Sequence, residues 1–388
     1  MRKALIALFL VPVALSADSR ARNVILFLAD AGGTSTIAAA SLHGYSAPRR
    51  LFVQRMPNIG LSETSTASQL VTDSAAGMTA IVTGQRTHSG VIGQSSSAVR
   101  GKLDGEPLKT ILEYAEERGL STGLITDDSV AGATPASLYA KANNRSLTAV
   151  IFKQIFTPRF GDGPDVVIGA GRGAIAKALE AEGIALDAFA REKGRPLLSS
   201  LSELTPATTR AIVLLESGEY DQAAAVESAI RILSKNKKGY FLMVEADAHT
   251  TRMKRGLDRL IALDRVIERT AKLVRSDTLL LFTADHSFDF RIRGGTFGKP
   301  ILEGLEAAEK EAAAAPGATS NPPIRIPALR VENGHTGEEV LVAAQGPGAQ
   351  RVRGYMANTD IFGVMMAAYG WQIPRPVTTP PAPQPSGR

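Results

Sequence analysis

Three apolar runs in this chain end in acids: NVILFLAD at 23–30, FLMVEADAH at 241–249 and LLLFTADH at 279–286. A run that is apolar at every position, not at alternate ones, is the pattern of a strand covered on both faces. In an open parallel sheet, ligands sit outside the carboxyl ends of the strands. A carboxylate beside an apolar run is costly there unless it is paired or metal-bound. Any one such acid reads most simply as a helix cap. Asp30, the pair Glu245 and Asp247, and Asp285, at the ends of three separate buried strands, favour a shared site.

The rest of the pattern fits that frame. Further strands are predicted at Ser121–Thr126, Asp165–Gly169, Ala211–Leu215, Tyr240–Val244, Thr278–Thr283 and Val340–Ala344. Helical segments lie between them, at Leu108–Arg118, 173–183, 221–234 and 257–275. The last carries Leu260, Leu263, Val266, Ile267, Leu273 and Val274 as one apolar stripe. Strands alternating with helices predict an α/β fold with a mostly parallel central sheet and helices on both faces. Residues 43–70 and the Gly/Ser-rich stretch 84–101 read as loops, and no internal repeat is visible.

No boundary divides 17–372, so one domain is expected there, with 303–325, rich in Ala and Glu and then Pro, as a helical insertion followed by a loop. Residues 373–388 form a Pro-rich tail. Residues 1–16, MRKALIALFLVPVALS, have a basic start, a short apolar stretch and small residues before the expected cut. They predict a secretory signal peptide and a periplasmic or secreted protein, and no other segment reaches spanning length. The 388 residues include no cysteine, which excludes disulfides and a lipid-modified thiol. The net charge of +6 owes part of its excess to the two ends, and no dense basic run carries interleaved aromatics, so a nucleic-acid partner is not expected.

The stretch VTDSAAGMTA at 71–80 opens a helix that reads to about Val82, with Gly84 as its stop. Ser74 therefore sits at a helix N-terminus, where unpaired N–H groups and the dipole favour an anion such as phosphate. Thr72, Asp73 and Ser74 are equally good cap candidates. A serine needs an activator, and no histidine lies near it in sequence, so a metal is the natural one. Glu245, Asp247 and His249 are spaced by two and share one face if the strand continues. Asp285 and His286 are adjacent, and His335 sits in a tight turn, NGHTG, before the 340–344 strand. His43 and His88 fall outside such contexts and read as surface or structural. Mixed O and N donors without thiolate suit zinc, with cobalt or manganese less apt, and an all-oxygen subsite suits magnesium.

Taken together, VTDSAAGMTAIVTG, NVILFLADAGG, TILEYAEERGLSTGLIT, GATPASLYA, LLLFTADH and GHTGEE resemble the alkaline phosphatase family in order, over most of residues 22–346. The resemblance implies that family's α/β fold, two zinc ions and one magnesium, and hydrolysis of small-molecule phosphate monoesters through a phosphoserine. By position, Ser74 resembles the nucleophile and Arg145 the arginine that grips phosphate. Asp30 resembles the carboxylate bridging one zinc and the magnesium, Asp285 and His286 ligands of that zinc, and His335 a ligand of the other. Thr134 and Glu245 resemble magnesium ligands. Three positions depart from the family. Thr250 and Lys254 stand where it carries an aspartate and a histidine, with Asp247 and His249 as the expected substitutes in a shortened loop. Gly132 stands where it carries an aspartate or histidine. The alternatives are a phosphodiesterase or sulfatase of the same superfamily, or a secreted metal- or phosphate-binding protein without turnover. Relatives are often homodimers, though nothing in the sequence marks a dimer face.

Overall fold

The computed structural model describes residues 20–315 and 321–372. The leader at 1–16 and the tail at 373–388 lie outside the described residues. The strands are β1 (Asn23–Asp30), β2 (Asn58–Ser62), β3 (Ser121–Ser129), β4 (Val166–Ala170), β5 (Leu197–Leu198), β6 (Ala211–Leu214), β7 (Tyr240–Asp247), β8 (Thr278–Thr283), β9 (Ser287–Ile292), β10 (Ile324–Arg325), β11 (Leu329–Thr336), β12 (Val340–Gln345) and β13 (Gly354–Met356). Ten of them form one sheet in the order β13-β2-β12-β8-β1-β7-β3-β4-β6-β5. From β8 to β5 every pairing is parallel, and β12 runs antiparallel to both β8 and β2. A second, three-stranded antiparallel sheet has the order β10-β11-β9.

Every residue of β1 is buried, because successive side chains enter two separate cores. Val24, Leu26 and Leu28 pack with Ala75, Met78, Ile81 and Val82 on one face. Ile25, Phe27 and Ala29 pack on the other with Leu257, Leu260 and Ile267. At about 25 cal/mol per Å2 of apolar surface, each fully buried side chain of this size contributes roughly 1.5–3 kcal/mol. The mixed α/β sandwich expected from the apolar runs is therefore present, with its helices on both faces.

The element bounds differ in instructive ways. The helix expected at 108–118 runs only Ile111–Glu117, because Thr110 caps it and Glu113 closes a capping box back onto the Thr110 N–H. The helix expected at 257–275 starts earlier, at Met253. A helix at Thr34–Tyr45 was not foreseen, since its small and polar residues give it no strong apolar stripe. Nor was β2, an edge-side strand inside the stretch expected to be loop. His335 lies near the end of β11 and pairs with Phe288 of β9, where a tight turn was expected. Gly and Asn suggested a turn there, but pairing with β9 extends the backbone. The stretch expected as an insertion carries the helix Leu305–Ala314 before β10. Among the described residues no helix is long and apolar enough to cross a membrane.

Candidate active site

The parallel strands end in register. Asp30 of β1 lies opposite Asp247 of β7, while Leu28 pairs with Glu245 and with Thr283 of β8. Thr126 of β3 is also opposite Glu245. The acids that close the apolar runs thus meet along one edge of the sheet.

The helix Ser74–Thr83 delivers Ser74 to that edge. Asp73 is its N-cap, accepting from the Ala76 N–H at 3.2 Å, and Gly84 ends it in the left-handed conformation. Ser74 is buried, with its Oγ 3.4 Å from Asp30 Oδ2 and 3.2 Å from His286 Nε2. Thr134 Oγ1, on the helix Ala133–Tyr139, reaches the same Asp30 oxygen at 3.5 Å. Asp285 Oδ1 accepts from the N–H groups of Ala31 and His286, which ties the turn after β1 to the end of β8.

Three imidazoles complete the group. The rings of His286 and His335 stack with centroids 4.0 Å apart, and His249 lies 5.5 and 5.9 Å from them. Phe288 packs edge-on against both His249 and His335, giving the cluster an apolar wall. His286 Nδ1 faces the Ser287 carbonyl at 3.1 Å, and His335 Nδ1 faces the Thr72 carbonyl at 3.0 Å. A carbonyl only accepts, so in both rings Nδ1 carries a proton and Nε2 is the nitrogen left for other partners. His286 Nε2 faces Asp30 Oδ1 at 3.2 Å, a nitrogen against a carboxylate oxygen that either a proton or a metal cation between them would satisfy. His249 Nδ1 lies 2.9 Å from Asp247 Oδ1 and 3.7 Å from Asp30 Oδ1.

The donors fit metal ions on independent grounds. Asp285 Oδ2 and Glu245 Oε2 are buried with no hydrogen-bond partner, which leaves charged or polar oxygen uncompensated without a ligand. Two sets of side chains converge tightly enough to share an ion: Asp30, Asp285 and His286, and His249, His286 and His335. Asp247 falls outside both sets, its oxygens being committed to His249 and to Arg259. Glu245 also falls outside them, and Thr134 Oγ1 meets Asp30 at the Oδ2 atom that faces Ser74.

Burial and the crowding of charges shift Asp30, Glu245, Asp285, His286 and His335. Burial pushes the Asp285 carboxyl up to about 6, with Asp30 adding to the push. Burial and the neighbouring Asp30 and Asp128 raise Glu245 as well. Burial would also raise Asp30, but His249 and His286 hold it well below the usual carboxylate range. Burial would lower His286, yet Asp285 and Asp30 raise it to about 9. Burial and His286 together push His335 down to about 4, so it stays neutral and basic in the Lewis sense. A proton held on His286 by two carboxylates is what a bound cation would replace.

Arg145 lies beside this centre. Its Nη1 donates to Asp73 Oδ2 at 3.0 Å, one residue before Ser74, and its own N–H is bonded to the Gly90 carbonyl. Asp73 Oδ1 accepts from the Gly90 N–H as well, so the loop around Gly90 and the N-cap of the Ser74 helix are locked together. The sequence marked Asp73 only as a cap, and it gave no sign of Phe288 as a wall or of Arg259 and Asp127 as partners of Asp247. Those contacts cross 12 to 120 residues and leave no local pattern. His43 pairs with Asp258 and His88 with Ser68 and Ser96, away from this edge.

A family model described as alkaline phosphatase matches residues 21–205 and 221–316. The chain is 29% identical over 450 residues to the streptomycin-6-phosphate phosphatase of Streptomyces griseus, across 95% of this chain and 96% of that protein. It is 28% identical over 351 residues to the alkaline phosphatase of Gadus morhua, across 74% of each. A solved TAB5 alkaline phosphatase mutant with Mg bound shares the fold at a TM-score of 0.73 and 22% identity, covering 92% of this chain and all of that one.

Proposed function

The chain belongs to the alkaline phosphatase family, and from that premise we propose that it hydrolyses phosphate monoesters through a phosphoserine formed on Ser74. The observation that carries this reading is the place of one hydroxyl. Ser74 Oγ, at a helix N-terminus, sits within 3.4 Å of Asp30 and 3.2 Å of His286, inside a buried knot of metal-type donors. A protein that only bound metal or phosphate would have little use for a hydroxyl there.

The donors sort into three subsites. Asp30, Asp285 and His286 would hold one zinc, and His249 and His335 the other, with Asp247 behind His249. Asp30, Thr134 and Glu245 would hold magnesium. When bound, such ions supply Lewis acidity, lowering the pKa of a hydroxyl or water and offsetting charge on the phosphate and leaving oxygens.

The chain's own groups do the rest. Ser74 Oγ attacks phosphorus, the bond from phosphorus to the substrate's alcohol oxygen breaks, and the alcohol departs. Water then attacks phosphorus in the phosphoserine, releasing phosphate and restoring the hydroxyl. The Arg145 fork and the first N–H groups of the Ser74 helix take the phosphate oxygens in both steps. Phe288 shields one side of the imidazole cluster from water.

Replacing Ser74 by Ala tests this directly. Release of phosphate from 4-nitrophenyl phosphate should fall at least ~1,000-fold, in the range seen when a nucleophile is removed, while zinc content and Tm stay near wild type. Wild-type turnover in this variant would remove Ser74 from the chemistry. The reading also includes export, supported by the leader-like residues 1–16; fractionation of cells expressing the full chain checks it.

A further inference from the structure

We propose that Arg259 is a positioning residue for the metal centre: by clamping Asp247 it fixes the arm of the chain that presents His249. The inference rests on the metal-dependent reading above.

Arg259 lies in the helix Met253–Leu273, and its side chain is only 11% exposed. Its guanidinium meets three carboxylates from three segments. Nη1 is 3.1 Å from Asp247 Oδ2, Nε is 3.3 Å from Asp127 Oδ2, and Nη2 is 3.0 Å from Glu219 Oε1. Asp127 in turn accepts the Asp247 backbone N–H at 2.8 Å through its other oxygen. Residue 247 is thus held twice, at its backbone by Asp127 and at its side chain by Arg259.

The remaining Asp247 oxygen passes that order on. Oδ1 accepts the His249 backbone N–H at 3.1 Å and faces His249 Nδ1 at 2.9 Å. The ring and the main chain of His249 therefore take their direction from one carboxylate, and that carboxylate takes its direction from Arg259. His286 and His335 have their Nδ1 atoms fixed by backbone carbonyls, which need no such support. His249 is the one imidazole of the three whose orientation depends on a side chain, just past the end of β7 where no ladder holds it.

The surrounding backbone is shaped to this clamp. A Cβ at Gly218 would lie 1.7 Å from the Asp127 carbonyl oxygen and 3.2 Å from Arg259 Nη2. Only glycine lets the loop carrying Glu219 close over the guanidinium. A lysine at 259 would keep the charge but offers one point of contact instead of a planar fork.

The test uses full-length protein stripped of metal: wild type, Arg259→Gln, Arg259→Lys and, as control, Arg255→Gln. Arg255 shares Glu219 with Arg259 but makes no contact with Asp247. Zinc affinity is measured by competition with a chromophoric chelator, alongside Tm of the metal-free proteins and the kcat and KM for 4-nitrophenyl phosphate. Loss of an outer partner of a ligating His typically weakens metal binding ~10–100-fold. Arg259→Gln should show that loss at one zinc equivalent, Arg259→Lys a smaller one, and Arg255→Gln none, with kcat following zinc occupancy at limiting zinc and recovering as zinc is raised. Zinc binding of wild-type strength in Arg259→Lys and Arg259→Gln overturns the proposal, as does an equal loss in Arg255→Gln. If Arg259→Gln fails to fold, Arg259→Lys decides alone. Wild-type protein that takes up no zinc would overturn the metal-dependent reading itself, a result distinct from any difference among the variants.

Discussion

Arg145 shows what a single residue can tell at this site. One arm of its guanidinium is spent on Asp73, the residue before Ser74, and on the proposed reading the rest of the fork is left for phosphate. A charge-assisted hydrogen bond contributes about 1.5–3 kcal/mol, so Arg145→Ala should lower kcat/KM for a phosphate monoester ~10–100-fold. The same change should cost a methyl diester less, because the extra substituent occupies an oxygen the fork would otherwise hold; steady-state kinetics on matched esters of one alcohol check both. Most of the residues brought together at this edge were legible in sequence, because acids at the ends of apolar runs are individually costly. What stayed hidden was their ordering. Asp247 is expected as a ligand from its spacing to Glu245 and His249, and its oxygens also meet His249 and Arg259, the latter a partner that no local spacing announces.

Among the elements, the helix Ser74–Thr83 comes close to the backbone just past β8. A Cβ on Gly77 would lie 2.5 Å from the backbone oxygen of Asp285, so the helix rests on the end of β8 only because residue 77 has no side chain. Ala is the better helix former by about 1 kcal/mol, but overpacking against rigid backbone costs about 1–3 kcal/mol. Gly77→Ala should therefore be net destabilising by up to roughly 2 kcal/mol, the difference of those two effects. It should also lower kcat, since it moves Ser74 away from Asp30 and His286, and a shift of ~1 Å can cost about 100-fold. Thermal melts and turnover on the same preparation check the pairing of the two effects. The helix itself was readable from its small residues and Gly84, as were the buried strands. The Thr34–Tyr45 helix and the β9–β11 sheet were not, because the first has a weak stripe and the second is set by pairing between distant segments.

At the scale of the whole molecule, buried charges away from the site set how stability follows pH. Burial pushes the Glu116 carboxyl up to about 7, despite the hydroxyl of Thr122 and the N–H of Gly163 that bond it. The folded protein thus holds this proton more tightly than the unfolded chain, whose ordinary value is 4.5. Its contribution is fully present below that value and is lost as pH rises through about 7. Glu116→Gln should accordingly gain Tm over wild type progressively from pH 4.5 to 7 and level off above, as scanning calorimetry at several pH values would show. The metal-type donors, for their part, are scattered from Asp30 to His335, on β1, the ends of β7 and β8, a helix start and β11. No single stretch of the chain carries a complete set of them. The proposed subsite of His249 and His335 is complete only once the strand bearing His335 has docked. On the metal-dependent reading, capture of the full set of ions therefore follows the docking of segments far apart in the chain.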